Sequence, residues 1–430
     1  MCPISELLSV LLLAAFTQVQ AQAPTVSPGG QQCLDCHRST TPGVVEQWRG
    51  SAHAKKSVDC YSCHQAAAGD PATFDHYGQR IAVIVTPKYC ARCHAQEVIQ
   101  FDKSHHAKGA QFIGSLDNFL GEIIEGGPAA INGCRQCHGS EVRYLGEGKF
   151  APDTWPNSGI GRINPDGSKG TCAACHGRHA FSSAQARQPE NCGKCHMGPD
   201  HPQIEIYNES KHGIQFRANI NKMNLESKSW IVGRDYYSAP TCATCHMSAT
   251  SNQPITHDVG ERISWTLRPV VSIRLENWEK KRQAMQDVCS NCHATGWVEN
   301  FYKQYDLTVD LYNEKFAKPA KATMDKLRAE SKLSATPFDE KIEWTFYELW
   351  HHEGRRARMG TAMMGPDFTQ WHGFYEVAKH FYNEFLPEAD HLLPGVTKDV
   401  LAQDWHRWKS GLKPEEMKQL LEFYQQRYKQ

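Results

Sequence analysis

All but one of the 17 cysteines of this 430-residue chain occur in a single repeated pattern, Cys-x-x-Cys-His. Two thiols three positions apart can form thioether bonds to the two vinyl groups of one haem, and the histidine that follows can bind the iron as proximal ligand. The pattern occurs eight times and therefore predicts eight covalently bound haem c groups. The motifs are Cys33, Cys36 and His37; Cys60, Cys63 and His64; Cys90, Cys93 and His94; Cys134, Cys137 and His138; Cys172, Cys175 and His176; Cys192, Cys195 and His196; Cys242, Cys245 and His246; and Cys289, Cys292 and His293.

Zinc sites and disulfide bonds are the alternative readings of such cysteine pairs. A structural zinc site takes four ligands from two paired segments and imposes no histidine directly after each pair. A disulfide bond places no constraint on the residue that follows either cysteine. Only haem attachment explains the invariant third member of the pattern, so we number the motifs one to eight in chain order.

The density of motifs predicts the fold class. Between residues 33 and 293 the motifs follow one another too closely for a conventional side-chain core, so we expect closely packed haems to form the core. Residues 274–293 are predicted to form a helix that carries its haem at the C-terminal end, and residues 81–85 are the best strand candidate. The predicted fold is mainly α, with little β.

Beyond the last motif the sequence changes character. From residue 294 to residue 430 there is no cysteine, and apolar residues recur at helical spacing. The two clearest stripes are Ile342, Phe346, Leu349 and Trp350, and Met417, Leu420, Leu421 and Tyr424 behind Pro414. We therefore predict a signal peptide over residues 1–21, a haem-binding region over 22–293 and a C-terminal helical region over 294–430 that completes the active site and forms subunit contacts.

The N-terminus indicates export. Residues 7–16 are an apolar run too short to cross a bilayer, and small residues after it suit cleavage behind Ala21, which would remove Cys2. We expect a soluble protein without a transmembrane segment in a periplasm-like compartment. The 47 basic residues balance the 47 acidic ones, so charge offers no reason to expect nucleic acid as a partner.

Histidines outside the motifs are candidate distal iron ligands. A short pattern, aromatic-x-x-Ser-x-His, ends at His53, His106 and His212, and three copies suggest one shared task. His201 and His257 follow the sixth and seventh motifs closely, and His352 and His372 complete the predicted set. With 22 histidines the chain has enough imidazoles to give every iron a second ligand. Counting histidines therefore does not show whether one iron keeps an open position, as an enzyme needs, or whether all are saturated, as in an electron carrier.

With its eight motifs, the chain resembles the octahaem hydroxylamine oxidoreductase family, and residues 134–140, 154–180 and 350–373 carry the resemblance. It implies that the fourth haem, held by Cys134, Cys137 and His138, is five-coordinate and catalytic. The other haems would be bis-histidine and relay electrons, and the protein would be a homotrimer. The resemblance also implies an aspartate and a histidine beside the open iron face.

The best matches for that aspartate and histidine are Asp166 and His179. Proton transfer must accompany electron transfer to N–O species, so such a pair makes chemical sense. The alternative for Asp166 is a turn residue within 164–167, and the alternative for His179 is a distal ligand to another haem. Arg355, Arg356 and Arg358 suit haem propionates or an anionic substrate, or else pair with acids such as Glu353.

One departure from the family concerns the direction of catalysis. Oxidising members carry a tyrosine that bonds to the catalytic haem of a neighbouring subunit, and at the matching place this chain has Phe368, with Tyr375 as the only substitute nearby. The resemblance thus favours reduction of nitrite or hydroxylamine toward nitric oxide or ammonium, with a cytochrome or a quinol-linked donor as redox partner. Oxidation of hydroxylamine or hydrazine is one alternative, and a pure electron-transfer protein with every iron saturated is another.

Overall fold

The computed structural model describes residues 25–112, 119–427 and 429, so the predicted signal peptide and Cys2 lie outside the described residues. Short helices joined by long loops make up the motif-bearing region. They are α1 (Pro28–Thr40), α2 (Pro42–Gly50), α3 (Cys60–His64), α4 (Pro87–Cys90), α5 (Ala95–Lys103), α6 (Gly109–Phe112), α7 (Gly127–Asn132), α8 (Cys134–His138), α9 (Ser183–Arg187), α10 (Pro189–Gly193), α11 (Gln203–Glu209), α12 (Lys211–Ala218), α13 (Cys242–His246) and α14 (Trp278–Cys289). Helix α14 confirms the prediction for residues 274–293.

Single turns of 3-10 helix interrupt the motif-bearing region and occur once in the C-terminal region, and the strands of the described residues form three two-stranded antiparallel hairpins. The 3-10 turns are Ala54–Lys56, His105–Lys108, Cys172–Ala174, Ile220–Lys222 and Asp404–His406. The strands are β1 (Thr73–His76), β2 (Gln79–Ala82), β3 (Tyr144–Gly146), β4 (Lys149–Phe150), β5 (Trp265–Thr266) and β6 (Ile273–Arg274). The predicted strand at 81–85 is confirmed only for its first two residues, because β2 ends at Ala82.

Local capping explains why two motifs begin helices. Asp59 precedes α3, and its carboxylate accepts a hydrogen bond from the backbone N–H of Ser62 at 2.9 Å. Thr241 does the same for Thr244 before α13. Each cap satisfies an N–H group of the first turn and so holds the first cysteine of the motif at the start of a helix.

The C-terminal region consists of long helices in which π-helical segments continue α-helices. Its α-helices are α15 (Thr295–Tyr312), α16 (Lys318–Ala329), α17 (Lys341–Tyr347), α18 (Gly354–Ala362), α19 (Pro366–Thr369), α20 (Glu376–His380), α21 (Leu386–Leu392), α22 (Lys398–Leu401), α23 (Arg407–Gly411) and α24 (Pro414–Arg427). The π segments there are Asn313–Ala317, Glu348–Glu353, Gln370–Tyr375 and Phe381–Phe385, and another, Phe119–Ile124, precedes α7. Segments of this kind are frequent at functional sites.

The largest apolar cluster lies in this C-terminal region. Ile342 and Leu349 of the first predicted stripe are buried in it, together with Met324 of α16 and Phe381 and Phe385 of the last π segment. The second stripe does form α24, which begins at Pro414 as predicted, but none of its residues is buried. The mainly α fold is confirmed, and within the described residues no helix is long and apolar enough to span a membrane.

His406 gives the C-terminal region a pH-dependent stability. Its ring stacks on Phe381, and its Nδ1 lies 2.7 Å from the Tyr382 hydroxyl. Burial, and to a smaller extent the charge of Lys315, lower the pKa of His406, so the unfolded chain takes up this proton at a higher pH than the folded chain. We expect the contribution of His406 to be complete above the unfolded pKa of about 6.5 and to be lost as the pH falls toward the lower folded pKa.

Urea unfolding monitored by tryptophan fluorescence at pH 7.5 and pH 5 measures this loss, and Trp408, which packs on Tyr382, reports locally. The midpoint should be lower at pH 5, and the difference should shrink in His406→Gln. An equal pH dependence in the variant would assign the effect to other groups.

Candidate haem centres and substrate pocket

Six motif histidines each face a second imidazole at nearly the same distance. An iron that binds two imidazoles through bonds of about 2 Å holds their ring centres about 6 Å apart, so these pairs fit bis-histidine haem. The ring-centre distances are 6.4 Å for His37 and His76, 6.4 Å for His64 and His179, 6.1 Å for His94 and His53, 6.5 Å for His176 and His257, 6.0 Å for His196 and His106, and 6.1 Å for His293 and His212.

Four of the predicted distal ligands stand in these pairs: His53, His106, His212 and His257. Ligation itself stays a prediction, but each imidazole lies where the prediction needs it. His76 was absent from the predicted set. It ends β1, and the β1–β2 hairpin presents it to His37, an arrangement that no local sequence pattern marks.

Two other predicted ligands, His352 and His372, have carboxylate partners. Nδ1 of His352 lies 2.7 Å from Glu348. His372 is half exposed and lies 3.4 Å from Asp367 and 3.5 Å from Glu376. Both histidines lie within π segments and have carboxylate neighbours. Among the described contacts, neither faces a motif histidine.

Contacts between thiols show which motifs are neighbours. The thiols of Cys90 and Cys172, of Cys137 and Cys195, and of Cys192 and Cys242 lie close enough for the thiols of each pair to shift each other's pKa. The third motif therefore adjoins the fifth, the fourth adjoins the sixth, and the sixth adjoins the seventh. Longer-range electrostatic interactions link the first motif to the second, the second to the third, the fifth to the sixth and the seventh to the eighth.

The fourth motif is held by a loop that packs backbone against backbone. The N–H groups of Ile160, Gly161 and Ile163 donate to the carbonyls of Cys137, His138 and Ser140 at 2.8, 3.1 and 3.1 Å. A Cβ atom on Gly159 would lie 2.0 Å from the backbone nitrogen of Gly139. Gly139 itself has a φ of +88°, a conformation that L side chains rarely adopt. Glycine is needed at both positions because the backbones of the two segments are in direct contact and leave no room for a side chain.

An aspartate–histidine pair lies beside this motif. His201 is close enough to the Cys137 thiol to contribute, after the larger effect of Cys195, to lowering its pKa. Nδ1 of His201 lies 2.7 Å from Oδ1 of Asp200, whose other oxygen lies 3.3 Å from the Arg355 guanidinium. Burial raises the pKa of Asp200, but the close approach of His201 and the positive charges nearby outweigh it, and the net pKa is lowered.

An ionised Asp200 fixes the tautomer of His201. Its carboxylate lies 2.7 Å from Nδ1 and favours a proton on that nitrogen, although the N–H is not aligned with the carboxylate in this structure; Nε2 is then the basic nitrogen of the neutral ring. His351 also acts electrostatically on Asp200, and its ring stacks on Tyr347 at 4.2 Å. The ring of His201 lies 5.9 Å from that of His196, but His106 faces His196 at 6.0 Å and one iron takes one distal imidazole. His201, predicted as a distal ligand, is thus placed where it can serve the fourth motif.

The structure gives Asp166 and His179 different surroundings. Asp166 accepts a hydrogen bond from the Thr86 hydroxyl at 2.6 Å and one from the Ser168 backbone at 3.0 Å, as a turn residue does. His179 faces His64 of the second motif. Sequence reasoning missed Asp200 as a functional residue, although an Asp-His dipeptide four residues behind a haem motif was a signal that could have found it.

Arg355, Arg356 and Arg358 of α18 were expected either to bind haem propionates or an anionic substrate, or to pair with acids, and they differ in this respect. Arg355 pairs with Asp200, whereas Arg356 pairs with Glu376 at 2.6 Å. Arg358 is fully buried, donates to Ser272 and to the Gly354 carbonyl, and lies over the Tyr312 ring at 4.0 Å. The acid expected to pair with them, Glu353, contacts His380 instead. Of the three arginines, Arg355 is the one with a described contact to the Asp200–His201 pair.

Phe368 lies in α19, and its ring packs on His372 at 5.4 Å. Tyr375, the other candidate, is half exposed and contacts Trp371. Both residues follow α18 in the chain: Phe368 lies in α19, and Tyr375 ends the π segment Gln370–Tyr375.

Comparison with known proteins gives one family match and several relatives. Residues 164–337 match the family model "Seven times multi-haem cytochrome CxxCH". A curated relative from Kuenenia stuttgartiensis, "Probable nitrite reductase-hydroxylamine oxidoreductase fusion protein", is 28% identical over 319 residues, which are 61% of this chain and 34% of the relative. The chain thus spans about a third of the length of that relative.

Two solved structures have a similar fold. One, described as "Hypothetical multiheme protein", has a TM-score of 0.76 and 26% identity and covers 91% of this chain and 98% of its own. The reducing HAO-like protein complex of Kuenenia stuttgartiensis has a TM-score of 0.63 and 21% identity, over 86% of this chain and 87% of its own, and shows likeness of fold. Residues 164–337 thus match a multihaem CxxCH cytochrome family, which implies covalently bound haem c, and the chain is similar in sequence to a nitrite reductase–hydroxylamine oxidoreductase fusion protein.

Proposed function

We propose that this chain is an octahaem c-type cytochrome that reduces nitrite or hydroxylamine at the haem of the fourth motif. The observation that carries the proposal is the Asp200–His201 pair, held by Arg355 beside Cys137. A relay of saturated haems needs no such group, whereas a reductase of N–O compounds must deliver protons where the substrate binds. The curated relative supports the substrate class through its printed description.

Each residue of the pocket has a separate task. When bound, the haem of the fourth motif would be held by Cys134, Cys137 and His138, and its iron would bind the substrate nitrogen and supply electrons. His201 takes up a proton at Nε2 and gives it to the substrate oxygen; the hydroxyl of hydroxylamine leaves as water after one such transfer, and an oxygen of nitrite leaves as water after two. Asp200 orients the ring and stabilises its protonated form. Arg355 compensates the charge of Asp200 and adds a positive field that favours an anionic substrate such as nitrite.

Several features of this proposal come from the sequence and the family resemblance. They include all eight haems, export to a periplasm-like compartment, a homotrimer, and a cytochrome or quinol-linked donor. The three-part organisation with boundaries at residues 21 and 293 belongs with them. The neighbour relations among motifs support a relay in which electrons from either end of the chain of haems reach the fourth motif through the sixth.

The reductive direction is favoured by Phe368, which has no phenol oxygen for a covalent link to porphyrin. The direct test measures three rates on one preparation: nitrite reduction and hydroxylamine reduction with reduced viologen, and hydroxylamine oxidation with an artificial acceptor. We expect both reductions to exceed the oxidation. A faster oxidation, or a peptide containing Tyr375 bound to porphyrin, would instead support the oxidising alternative.

Carbon monoxide binding distinguishes an enzyme from a pure electron carrier. A bis-histidine iron has no free position, so we expect the ferrous protein to show a Soret change for one haem when carbon monoxide is added. Titration of the gas against protein gives the stoichiometry. A ferrous protein that does not respond would be an electron-transfer cytochrome without a substrate site.

A further inference from the structure

Arg262 is a buried cation whose hydrogen-bond partners are all neutral. Its side chain is 2% exposed and donates to the Cys245 carbonyl at 3.2 Å, to the Thr244 carbonyl at 3.4 Å and to the Ser248 carbonyl at 2.7 Å. Its Nε is buried with no hydrogen-bond partner. A buried charge is costly unless something compensates it, so a guanidinium kept in this position calls for an explanation.

The carbonyls that hold Arg262 belong to the seventh motif and the residues that follow it. Helix α13 carries Cys242, Cys245 and His246, and Arg262 closes over its C-terminal end. The charge reaches the proximal ligand: after the larger effect of burial, Arg262 lowers the pKa of His246, while the Val259 carbonyl opposes that change. The fold therefore places a positive charge beside the seventh motif and the histidine that would bind its iron.

Two acids offset part of this positive charge. Asp287 of α14 interacts electrostatically with Arg262. Its carboxylate also accepts hydrogen bonds from the side chains of Thr250 at 2.5 Å, Asn252 at 2.5 Å and Gln253 at 2.9 Å. Glu261 interacts as well, but it is exposed to solvent, which screens it. On the same side Lys281 donates to the Gly260 carbonyl at 3.2 Å and adds a second positive charge.

We infer that Arg262 raises the reduction potential of the haem at the seventh motif by holding a buried positive charge beside its proximal ligand. The redox step is the addition of one electron from a neighbouring haem to ferric iron, which becomes ferrous. No bond is made or broken and no proton moves. The positive charge stabilises the more electron-rich state, because the Coulomb interaction is strong where water is excluded.

This role follows from where the seventh motif lies. Its Cys242 thiol contacts Cys192 of the sixth motif, and Cys195 of the sixth motif contacts Cys137 of the fourth. An electron held by the haem of the seventh motif is one transfer away from the sixth motif and two transfers away from the fourth. It is therefore available to a reduction that needs several electrons in succession. The inference needs haem at the seventh motif and does not depend on the substrate or on the direction of turnover.

The test is a spectroelectrochemical titration of the haem-loaded protein with an electrode and mediators. In Arg262→Gln we expect one component to move to lower potential, so that the ratio of oxidised to reduced haem at a fixed potential changes about tenfold, or about 59 mV for one electron. Arg262→Lys should stay near the wild-type curve. Arg234→Gln is the matched control, because Arg234 is exposed and should leave every component in place.

Intact mass and a haemochrome assay establish that each variant keeps its haems. A fully loaded Arg262→Gln protein with an unchanged titration would overturn the inference, as would a Lys variant displaced as far as the Gln variant. If Arg262→Gln fails to assemble, Asp287→Asn decides, since removing that negative charge should move one component to higher potential and an unmoved curve would refute the role. No substrate enters the titration, so its failure is separate from a failure of the proposed activity.

Discussion

Replacing His201 with asparagine is expected to lower kcat for nitrite and hydroxylamine reduction by about 100-fold or more, the range found for loss of a positioned general acid. Asparagine keeps a hydrogen bond toward Asp200 but has no group that takes up and releases a proton near neutral pH. The measurement is steady-state turnover with reduced viologen, at equal haem content. KM should change less than kcat, because the proton is needed for cleavage of the N–O bond more than for binding.

Two further variants make this result specific. Asp200→Asn should also lower kcat, since the carboxylate that orients His201 and stabilises its protonated ring is lost. His391→Asn is the matched control, because His391 is an exposed histidine of α21 remote in sequence from the motifs, and its turnover should equal wild type. If His201→Asn instead turns over normally and gains a new high-spin haem signal, His201 is a distal ligand and not the proton donor.

Replacing Gly159 with alanine is expected to abolish the fourth haem centre and leave the other motifs loaded. The new Cβ would lie 2.0 Å from the nitrogen and 2.3 Å from the Cα of Gly139, and both are backbone atoms that cannot rotate away. The loop must therefore move off the motif and break its hydrogen bonds to Cys137, His138 and Ser140. We expect a stability loss of about 3 kcal/mol and no measurable turnover.

The readouts for Gly159→Ala are haem content by mass, carbon monoxide binding and turnover. Gly43→Ala is the control, since a Cβ there meets no atom within 4 Å and Gly43 lies inside α2. It should be neutral or more stable than wild type by up to about 1 kcal/mol. A Gly159→Ala protein that still binds carbon monoxide and turns over would show that the loop does not support the fourth centre.

Three of the distal ligands could be predicted from a short sequence pattern. His53, His106 and His212 end a repeated pattern of six residues, and each stands opposite a motif histidine in the structure. His352 and His372 carry no such pattern and have carboxylate partners instead. An imidazole with an acid one helical turn away finds a partner locally, and sequence counting cannot see that competition.

Other arrangements joined residues that are far apart in the chain. His76 reaches His37 only because β1 and β2 fold into a hairpin, and Asp200 meets Arg355 across 155 positions. The match of Asp166 and His179 relied on a loose alignment with the family, across a loop between the fourth and fifth motifs whose length can vary. Tertiary packing gave them other partners, Thr86 and His64, and brought Asp200 and His201 to the pocket from behind the sixth motif.

By itself the sequence determined the cofactor class and the helical C-terminal region, and it predicts the attachment points. Thioether attachment and proximal ligation need residues at fixed short spacing, and an amphipathic helix needs apolar residues at a fixed period, so both are written locally. Only the tertiary structure decided which imidazoles face each other, which motifs are neighbours, and which buried charges act on them. Those relations depend on the packing of distant segments, where the free energy of burial and charge pairing is shared among many residues and no short pattern records it.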